Sequence, residues 1–272
     1  MLILFIIICI ILIYIIGYHD MIIQRYTIQS HKINTKINIA IISDLHGTSY
    51  GKHQSQLLQK MKQQNLDMIF FVGDLVDEHS SIKEVEDLFK GLKDIPSYYV
   101  LGNHEISSQK VDIMKELSIK YNICMIGQDY QVININQNQL CVAGIDDLAY
   151  FKEKDNDNYE EIFQQNLEQL SYNIDKNMYS ILLSHKPSLV DLYKNSHFDL
   201  IISGHAHGGQ WCIPHVLNGL YAPDEHLFPH YAGGLYQFDH NQLLVGRGLV
   251  KNLIPRFFNP PELVILTLDN LK

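Results

Sequence analysis

The chain of 272 residues is long enough for one large hydrophobic core, and its formal net charge of -9 excludes a surface built to neutralise nucleic acid, which needs clustered Lys and Arg. Its four cysteines show no CxxC spacing, and the three beyond the N-terminal segment, Cys124, Cys141 and Cys212, do not indicate a disulfide framework. Free thiols suit a reducing compartment.

The N-terminal segment is apolar: residues 1–18 contain no charged side chain and are rich in Ile, Leu and Phe. As a helix this run would be about 27 Å long, close to the roughly 30 Å hydrocarbon core of a bilayer. A cleaved signal peptide would need a basic segment before the run and a small-residue cleavage site after it, and neither is present. We therefore predict one transmembrane helix, a single-pass membrane anchor over residues 1–23, then a juxtamembrane linker over 24–36 and a globular domain over 37–272. Because Arg25, Lys32 and Lys36 follow the run and no basic residue precedes it, the domain is predicted to face the cytoplasm.

Beyond the linker, strand-like apolar runs alternate with helical segments in the rhythm of βαβ units. In the first half, strands are predicted at 37–42, 68–72 and 98–101, and helices at 54–64, 81–90 and 108–121. In the second half, strands are predicted at 130–135, 140–145, 179–183, 200–203, 243–245 and 263–268, with a helix at 159–170 and an irregular stretch at 208–234. The strands are continuously apolar, as expected when both faces of a sheet are covered, which predicts an α/β fold with two sheets flanked by helices.

Five short polar clusters follow these apolar runs and supply carboxylate, amide and imidazole groups. The clusters are Asp44-Leu45-His46, Gly73-Asp74, Gly102-Asn103-His104-Glu105, Ser184-His185 and Gly204-His205-Ala206-His207. Since the carboxyl ends of parallel strands meet at one edge of a sheet, we expect these side chains to converge. Residues two apart in an extended segment point to the same side, so Asp44 with His46, and His205 with His207, can each face one site. Carboxylate with neutral imidazole suits Mn, Fe, Zn or Ni better than Ca or Mg.

The ordered pattern D-x-H, G-D, G-N-H-E, H, G-H-x-H resembles that of the calcineurin-like metallophosphoesterases over residues 37–268. The extended forms GDLVD at 73–77, GHAHGGQ at 204–210 and GRGL at 246–249 are similar to the bacterial membrane-associated branch, which includes UDP-diacylglucosamine pyrophosphatases. The pattern departs in detail, with Ala at position 206 where Thr is common. The resemblance implies a four-layer α/β/β/α sandwich, the metallophosphoesterase fold, with two divalent metal ions. It implies seven ligands, divided between a first metal (Asp44, His46, His207), a second metal (Asn103, His185, His205) and a bridge (Asp74).

The implied centre suits phosphate chemistry. Two divalent cations with Asp44, Asp74 and a bridging hydroxide leave a surplus of one positive charge, which attracts a phosphate ester. With the metals about 3.5 to 4 Å apart, the hydroxide would attack phosphorus in line, without a covalent enzyme intermediate. We expect manganese, with iron, zinc or nickel as the alternatives. The resemblance makes His104 the catalytic residue that stabilises the transition state or protonates the leaving oxygen, worth roughly a hundredfold to ten-thousandfold in rate; the alternative is a structural imidazole.

Other residues have two interpretations each. Asp77 and Glu105 would orient metal-bound imidazoles or be solvated loop carboxylates. Arg247 would bind a substrate phosphate or have a structural role. Two sets in the irregular stretch would contact substrate or lipid, or simply belong to the loop: the histidines His215, His226 and His230, and the apolar residues Trp211, Leu217, Leu220, Leu227 and Phe228.

The sequence therefore predicts a membrane-anchored phosphohydrolase that cleaves a phosphoester or pyrophosphate bond in a lipid- or nucleotide-linked substrate. The anchor favours a lipid, because it confines the active site near the bilayer. A cyclic-nucleotide phosphodiesterase and a phosphoprotein phosphatase are alternatives, since one metal centre serves all three. A non-catalytic tethered scaffold would be expected to lose ligands or His104, and this chain keeps them all.

Overall fold

The computed structural model describes residues 6–7, 20–251 and 256–271. The strands are β1 (Ile22–Ser30), β2 (Ile37–Ile42), β3 (Met68–Val72), β4 (Ser97–Val100), β5 (Ile123–Met125), β6 (Asp129–Ile135), β7 (Asn138–Ile145), β8 (Tyr179–Ser184), β9 (Leu200–Ser203), β10 (Tyr221–Ala222), β11 (His226–Leu227), β12 (Gly234–Gln237), β13 (Gln242–Val245) and β14 (Glu262–Asn270). The helices are α1 (Ser55–Lys62), α2 (Lys83–Leu92), α3 (Asn103–Ser107), α4 (Val111–Lys120), α5 (Leu148–Lys154), α6 (Tyr159–Tyr172) and α7 (Val190–Lys194). Most of the predicted membrane anchor lies outside the described residues. Within the described ranges, no helix is long and apolar enough to cross a bilayer.

The strands form two six-stranded sheets and one small hairpin. The first sheet has the order β1-β14-β2-β3-β4-β5, with β2 to β5 mutually parallel, β14 antiparallel to β2 and β1 parallel to β14. The second has the order β12-β13-β9-β8-β7-β6, with a parallel centre and an antiparallel strand at each edge. The prediction of a mixed α/β fold with two sheets is confirmed.

The central strands of both sheets are buried on both faces, which explains their largely apolar sequences. In β2, Ile39 and Ile41 belong to a core shared with Ile181 of the second sheet, whereas Ala40 and Ile42 belong to a second core that includes side chains of α1 and α2. A third core packs the other face of the second sheet against α6. The order of layers is therefore helix, sheet, sheet, helix. Each large aliphatic side chain buried there contributes about 1.5–3 kcal/mol.

The predicted linker over residues 24–36 is wrong for most of its length, because residues 22–30 form β1. This strand pairs along its whole length with β14, from Ile22 opposite Glu262 to Ser30 opposite Asn270. Met21, which we placed in the anchor, is 3% exposed, and Ile33 is fully buried between the sheets. The outer edge of β14 needs backbone partners, and β1 supplies them. The globular domain thus begins near Met21 rather than at residue 37.

The remaining differences concern short elements. The strands at 37–42, 68–72 and 200–203 match the prediction residue for residue, but β5, β12, α3, α5 and α7 were not predicted. These helices have at most about two turns and these strands at most four residues, so the periodicity of their apolar residues is a weak signal. Tertiary packing decides whether such short segments form a helix or a strand. The stretch 208–234 is largely irregular, as predicted, apart from the hairpin β10–β11.

Candidate metal centre

The first two carboxylates leave the ends of adjacent parallel strands in strained loops. Asp44 and Asp74 each lie two residues beyond their strand, with φ of 50° and 55°. A left-handed backbone costs a residue with a side chain on the order of 1 kcal/mol or more, so the surrounding structure must enforce it. Here the N–H of Asp44 donates to the carbonyl of Gly73 (3.1 Å), and the N–H of His46 donates to the carbonyl of Asp74 (3.0 Å).

The histidine pairs reach the site in a way that differs from the prediction. His46, His205 and His207 have φ of 46°, 65° and 49°, so these segments are turns rather than extended chain. His205 and His207 consequently face different ligand groups. The expectation of an extended segment is therefore wrong at these residues, whereas the separation of His207 from His205 is the one that the resemblance implies.

The side chains converge in two adjoining groups. The first contains Asp44, His46, Asp74 and His207, and the second contains Asp74, His185 and His205; within each group the ligand atoms lie within 4.8 Å of one another. Asp74 belongs to both. Asn103 lies alongside, because the N–H of the next residue, His104, donates to Asp74 Oδ1 (2.9 Å). The structure thus brings six of the seven predicted ligand residues into the two groups and places the seventh, Asn103, in the loop beside Asp74.

Several buried ligand atoms in and beside these groups lack a hydrogen-bond partner within the described ranges. They are Asp44 Oδ2, His46 Nε2, Asn103 Oδ1 and His205 Nδ1. Burying a polar atom without a partner costs about 1–3 kcal/mol, so a cluster of such atoms indicates a site that binds something else. Imidazole nitrogen and carboxylate oxygen are ligands of divalent transition metals. The residues therefore fit a pair of such ions.

Charge and burial determine the protonation of the imidazoles. His185 Nε2 lies 3.0 Å from Asp74 Oδ2. Burial opposes ionisation of both groups, but their mutual attraction outweighs it, raising the pKa of His185 to about 10 and holding the pKa of Asp74 well below its usual range. Burial lowers the pKa of His207 to about 3, so that imidazole is neutral. A metal ion held by His185 Nε2 would take the place of this proton, and its affinity would then depend on pH.

Each of three imidazoles is oriented through a second contact. His46 Nδ1 lies 3.2 Å from Asp77 Oδ2, which favours the orienting interpretation of Asp77. His185 Nδ1 lies 2.8 Å from the carbonyl of Val72 and donates to it in the tautomer that leaves Nε2 for a metal. His205 Nε2 lies 3.1 Å from Asp224 Oδ2. Asp224 was not predicted, since an acidic residue in a long loop carries no signal of its own.

A model of the calcineurin-like phosphoesterase family matches residues 37–209. The chain belongs to this family. An uncharacterized metallophosphoesterase of Campylobacter jejuni is 27% identical over 262 residues, which cover 92% of this chain but 64% of that protein, so this chain spans less than two thirds of its length. One from Aquifex aeolicus is 27% identical over 264 residues, covering 90% of this chain and 91% of that protein. The crystal structure of TT1561 from Thermus thermophilus has the same fold, with a TM-score of 0.52 at 13% identity over 79% of this chain and 90% of that one.

The family match confirms the predicted superfamily. The glycines of the family motif have a steric explanation in this chain. A Cβ on Gly102 would lie 2.2 Å from Asp74 Oδ1, and one on Gly73, whose φ is +77°, would lie 2.4 Å from His185 Nδ1. Any side chain at either position would push into the ligand groups.

Glu105 of the GNHE motif neither orients an imidazole nor faces solvent. It is fully buried, and its two oxygens accept hydrogen bonds from the N–H groups of Asp74 (2.9 Å), Leu75 (2.5 Å), Val76 (3.3 Å) and Gly102 (2.9 Å). The contact with Gly102 caps the start of α3. Glu105 therefore holds the loops after β3 and β4 together, a role that both sequence interpretations missed.

His104 lies at the edge of the centre, where a substrate can reach it. Its side chain is 35% exposed, and its ring packs edge-on against His46 with the centroids 4.8 Å apart. Nδ1 lies 3.3 Å from Glu78 Oε2, and Glu78 in turn accepts a hydrogen bond from Ser107 Oγ (2.8 Å). Glu78 was not predicted either. Since it contacts Nδ1 of His104, the other ring nitrogen, Nε2, points away from Glu78.

Arg247 is engaged with the loop that follows His207. Its Nη2 donates to Asn218 Oδ1 (2.6 Å), and its backbone N–H donates to Glu262 Oε1 (2.8 Å). These contacts favour the structural interpretation, while phosphate binding by Arg247 stays a prediction. A second arginine, Arg256, is 3% exposed and donates to the carbonyl of His207 (3.0 Å), which the sequence did not indicate.

The predicted loop residues lie outside the two ligand groups. His215 lines a separate cavity with Arg247, and His226 and His230 are exposed. Among the apolar residues, Trp211, Leu227 and Phe228 are exposed, whereas Leu217 and Leu220 are half-buried. Packing within the loop therefore accounts for Leu217 and Leu220 but not for the exposed side chains.

Proposed function

We propose that this protein is a membrane-anchored, dinuclear-metal phosphohydrolase that cleaves a phosphoester or pyrophosphate bond in a lipid- or nucleotide-linked substrate. The observation that carries the proposal is the pair of ligand groups that share Asp74, with buried ligand atoms left unpaired among the described residues. Two divalent ions, manganese by preference, would supply an activated water and positive charge toward the phosphoryl oxygens.

The protein's own groups would perform the remaining steps. His104 lies beside the centre and is accessible, so it would protonate the leaving oxygen, with Glu78 on its other nitrogen fixing the ring. Asp77 and Asp224 would keep two ligand imidazoles in place. These groups would act without forming a covalent bond to the substrate.

A cavity beside His46 supports a substrate larger than a simple phosphate monoester. It has a volume of about 790 Å³, within the range of small-ligand sites, and its lining includes Thr48, His79 and Lys251. Because Lys251 lines this cavity, its ammonium group would pair with an anionic head group there; in the structure its Nζ lies 4.6 Å from the ring centre of Tyr50. The apolar N-terminal run supports the lipid part of the proposal, because it would confine the enzyme to the bilayer.

The test is hydrolysis by the full-length, manganese-loaded protein of a nucleotide diphosphate-linked lipid, a chromogenic phosphodiester, a chromogenic monoester, a cyclic nucleotide and a phosphopeptide. We expect the lipid-linked substrate to be cleaved fastest; a faster reaction with the cyclic nucleotide or the phosphopeptide would favour the corresponding alternative. His104→Ala should keep its metal content and lose about a hundredfold to ten-thousandfold in turnover. A folded, metal-loaded protein that cleaves none of the five would refute the proposal.

The proposed cytoplasmic orientation has its own test. A reporter fused after Lys272 should be active on the cytoplasmic side, because basic residues follow the apolar run and none precedes it. A signal from the opposite side would overturn the orientation and leave the chemistry untouched.

A further inference from the structure

The end of the domain that carries the ligand groups also receives the chain from the N-terminal segment. β1 is parallel to β14, so its first residue, Ile22, pairs with Glu262 at the start of β14. β14 is antiparallel to β2, so its start lies beside the end of β2, from which Asp44 follows. The N–H of Leu249 connects the same region, donating to the carbonyl of Asp44 (3.2 Å). The continuous described chain therefore begins, at Asp20, on the side of the sheet where the ligands lie.

The loops near this end carry exposed apolar side chains. Six large apolar residues have exposed fractions between 42% and 79%. We call this set the apolar loop face: Trp211, Ile213, Val216, Leu227, Phe228 and Phe258. Soluble surfaces usually expose large apolar residues singly, so a group of six indicates an interaction surface.

The loops that carry this face are joined to the ligand groups by hydrogen bonds and an ionic contact. Asn259, next to Phe258, donates through Nδ2 to the carbonyl of His207 (2.7 Å). The N–H of Cys212, next to Trp211, donates to the carbonyl of Phe257 (2.9 Å). Asp224, three residues before Leu227, contacts His205 Nε2. The face therefore borders both ligand groups.

The chain that precedes Asp20 indicates what covers the face. Residues 1–18 contain no charge, and as a helix they would be apolar on every side. If this helix folded back over the loops, one of its sides would be buried and the other would face water. If it inserted into a bilayer, all of its sides would be buried. The bilayer that holds this segment would lie against the end of the domain at which the segment enters.

We infer that the apolar loop face docks on the lipid surface and turns the metal-ligand end of the domain toward the membrane. The inference rests on the proposed membrane anchoring and deepens it, since it brings the phosphate of a lipid-linked substrate to the site without extracting the lipid. Aromatic and aliphatic side chains at an interface bind through burial in the acyl boundary. The net charge of -9 gives no general attraction to anionic lipid, so docking should occur on neutral lipid and at high salt.

Trp211 is the single tryptophan of the chain, so its fluorescence reports on the face. The full-length protein would be reconstituted into neutral phosphatidylcholine vesicles, with and without bromine on the acyl chains, which quenches tryptophan on contact. We expect a loss of Trp211 emission with the brominated lipid at both low and high salt. The double variant Leu227→Ser with Phe228→Ser should reduce that loss.

The control moves the tryptophan to the opposite end of the sheets while the N-terminal segment stays the same. In Trp211→Phe with Ile119→Trp, the probe lies on α4, which leads into the start of β5, and position 119 is 80% exposed. We expect no quenching from there. Equal quenching at both positions overturns the inference, as does absence of quenching at Trp211 in protein that floats with the vesicles.

Two further results would overturn the inference, and both can be distinguished from a loss of phosphohydrolase activity. If Trp211 emission is protected from acrylamide but is not quenched by the brominated lipid, the N-terminal segment or a second copy of the chain covers the apolar loop face. Protein that does not float with vesicles would remove the anchoring itself. Hydrolysis measured in detergent is independent of either result.

Discussion

Replacing Glu105 by Gln is expected to loosen the loops that carry the ligands, although Glu105 belongs to neither ligand group. One carboxylate oxygen accepts from the N–H groups of Asp74 and Gly102, both at 2.9 Å, and the other accepts from Leu75 (2.5 Å) and Val76 (3.3 Å). The amide of Gln keeps one acceptor oxygen but turns an NH₂ group toward the donors of the other. Two buried N–H groups therefore lose their acceptor.

Each buried N–H left without an acceptor costs about 1–3 kcal/mol. Part of this loss is offset because the buried carboxylate is itself unfavourable: burial, and then the charge of Asp74, raise the pKa of Glu105 to about 7. We expect a net loss of about 2 kcal/mol in the free energy of unfolding. Since the N–H of Asp74 is one of the affected donors, the residue shared by both ligand groups should also shift, and affinity for both metals should fall.

Urea denaturation of the metal-free proteins measures the first effect, and titration with Mn²⁺ measures the second. The matched control is Glu116→Gln on α4, the same chemical change at an exposed position, which should stay within about 0.5 kcal/mol of the wild type. If Glu105→Gln equals the wild type in both measurements, the carboxylate is not what holds these loops.

Three further predictions follow from the site and its surroundings. Asp224→Asn should weaken binding of one of the two metals by about 10- to 100-fold, because His205 loses its orienting carboxylate; metal titration would show this, and the exposed Asp191→Asn should bind as the wild type does. Burial raises the pKa of Asp146 to about 6 from 3.8, so the folded state holds a proton that the unfolded state releases, and stability is lost as pH rises through that window. A difference of about two pKa units corresponds to about 3 kcal/mol. The free energy of unfolding of Asp146→Asn should therefore fall by about 3 kcal/mol less than that of the wild type between pH 4 and 6. An equal fall in both proteins would contradict the raised pKa of Asp146. Chelation of the metals should lower the melting temperature, and an ion at about 100 times its Kd should restore about 2.7 kcal/mol per site; equal melting curves would contradict a metal centre that binds the folded state.

Local chemistry made much of the fold predictable. The runs that became β2, β3 and β9 are apolar except for Asn38 and Ser203, because each of these strands is covered on both faces. Their limits could therefore be recognised from the sequence alone. β1 was not recognised for the opposite reason: apart from Ile28, its residues are half-buried or exposed, and its stability comes from pairing with β14 at the other end of the chain.

The contacts that support the site were harder to predict than the ligands. Asp224 reaches His205 from within an irregular loop, and Arg256 reaches the carbonyl of His207 from a position 49 residues further along the chain. Glu105 is adjacent to His104 in a recognised motif, yet its function depends on backbone N–H groups about thirty residues away. None of these partners has a signature in its own neighbourhood.

The sequence by itself determined which residue types stand after which strands, because a metal ligand must carry a particular donor atom and a buried strand must be apolar. The resemblance already divided those ligands between two metals, but only the tertiary structure shows the backbone geometry behind the division. His205 and His207 face different groups because both residues have left-handed backbone conformations, so the segment turns rather than running straight. The same holds for the N-terminal run, whose composition is local but whose point of entry beside the ligand groups follows from the pairing of β1 with β14 and of β14 with β2. Donor chemistry is a property of single residues, whereas direction and proximity are properties of the folded chain.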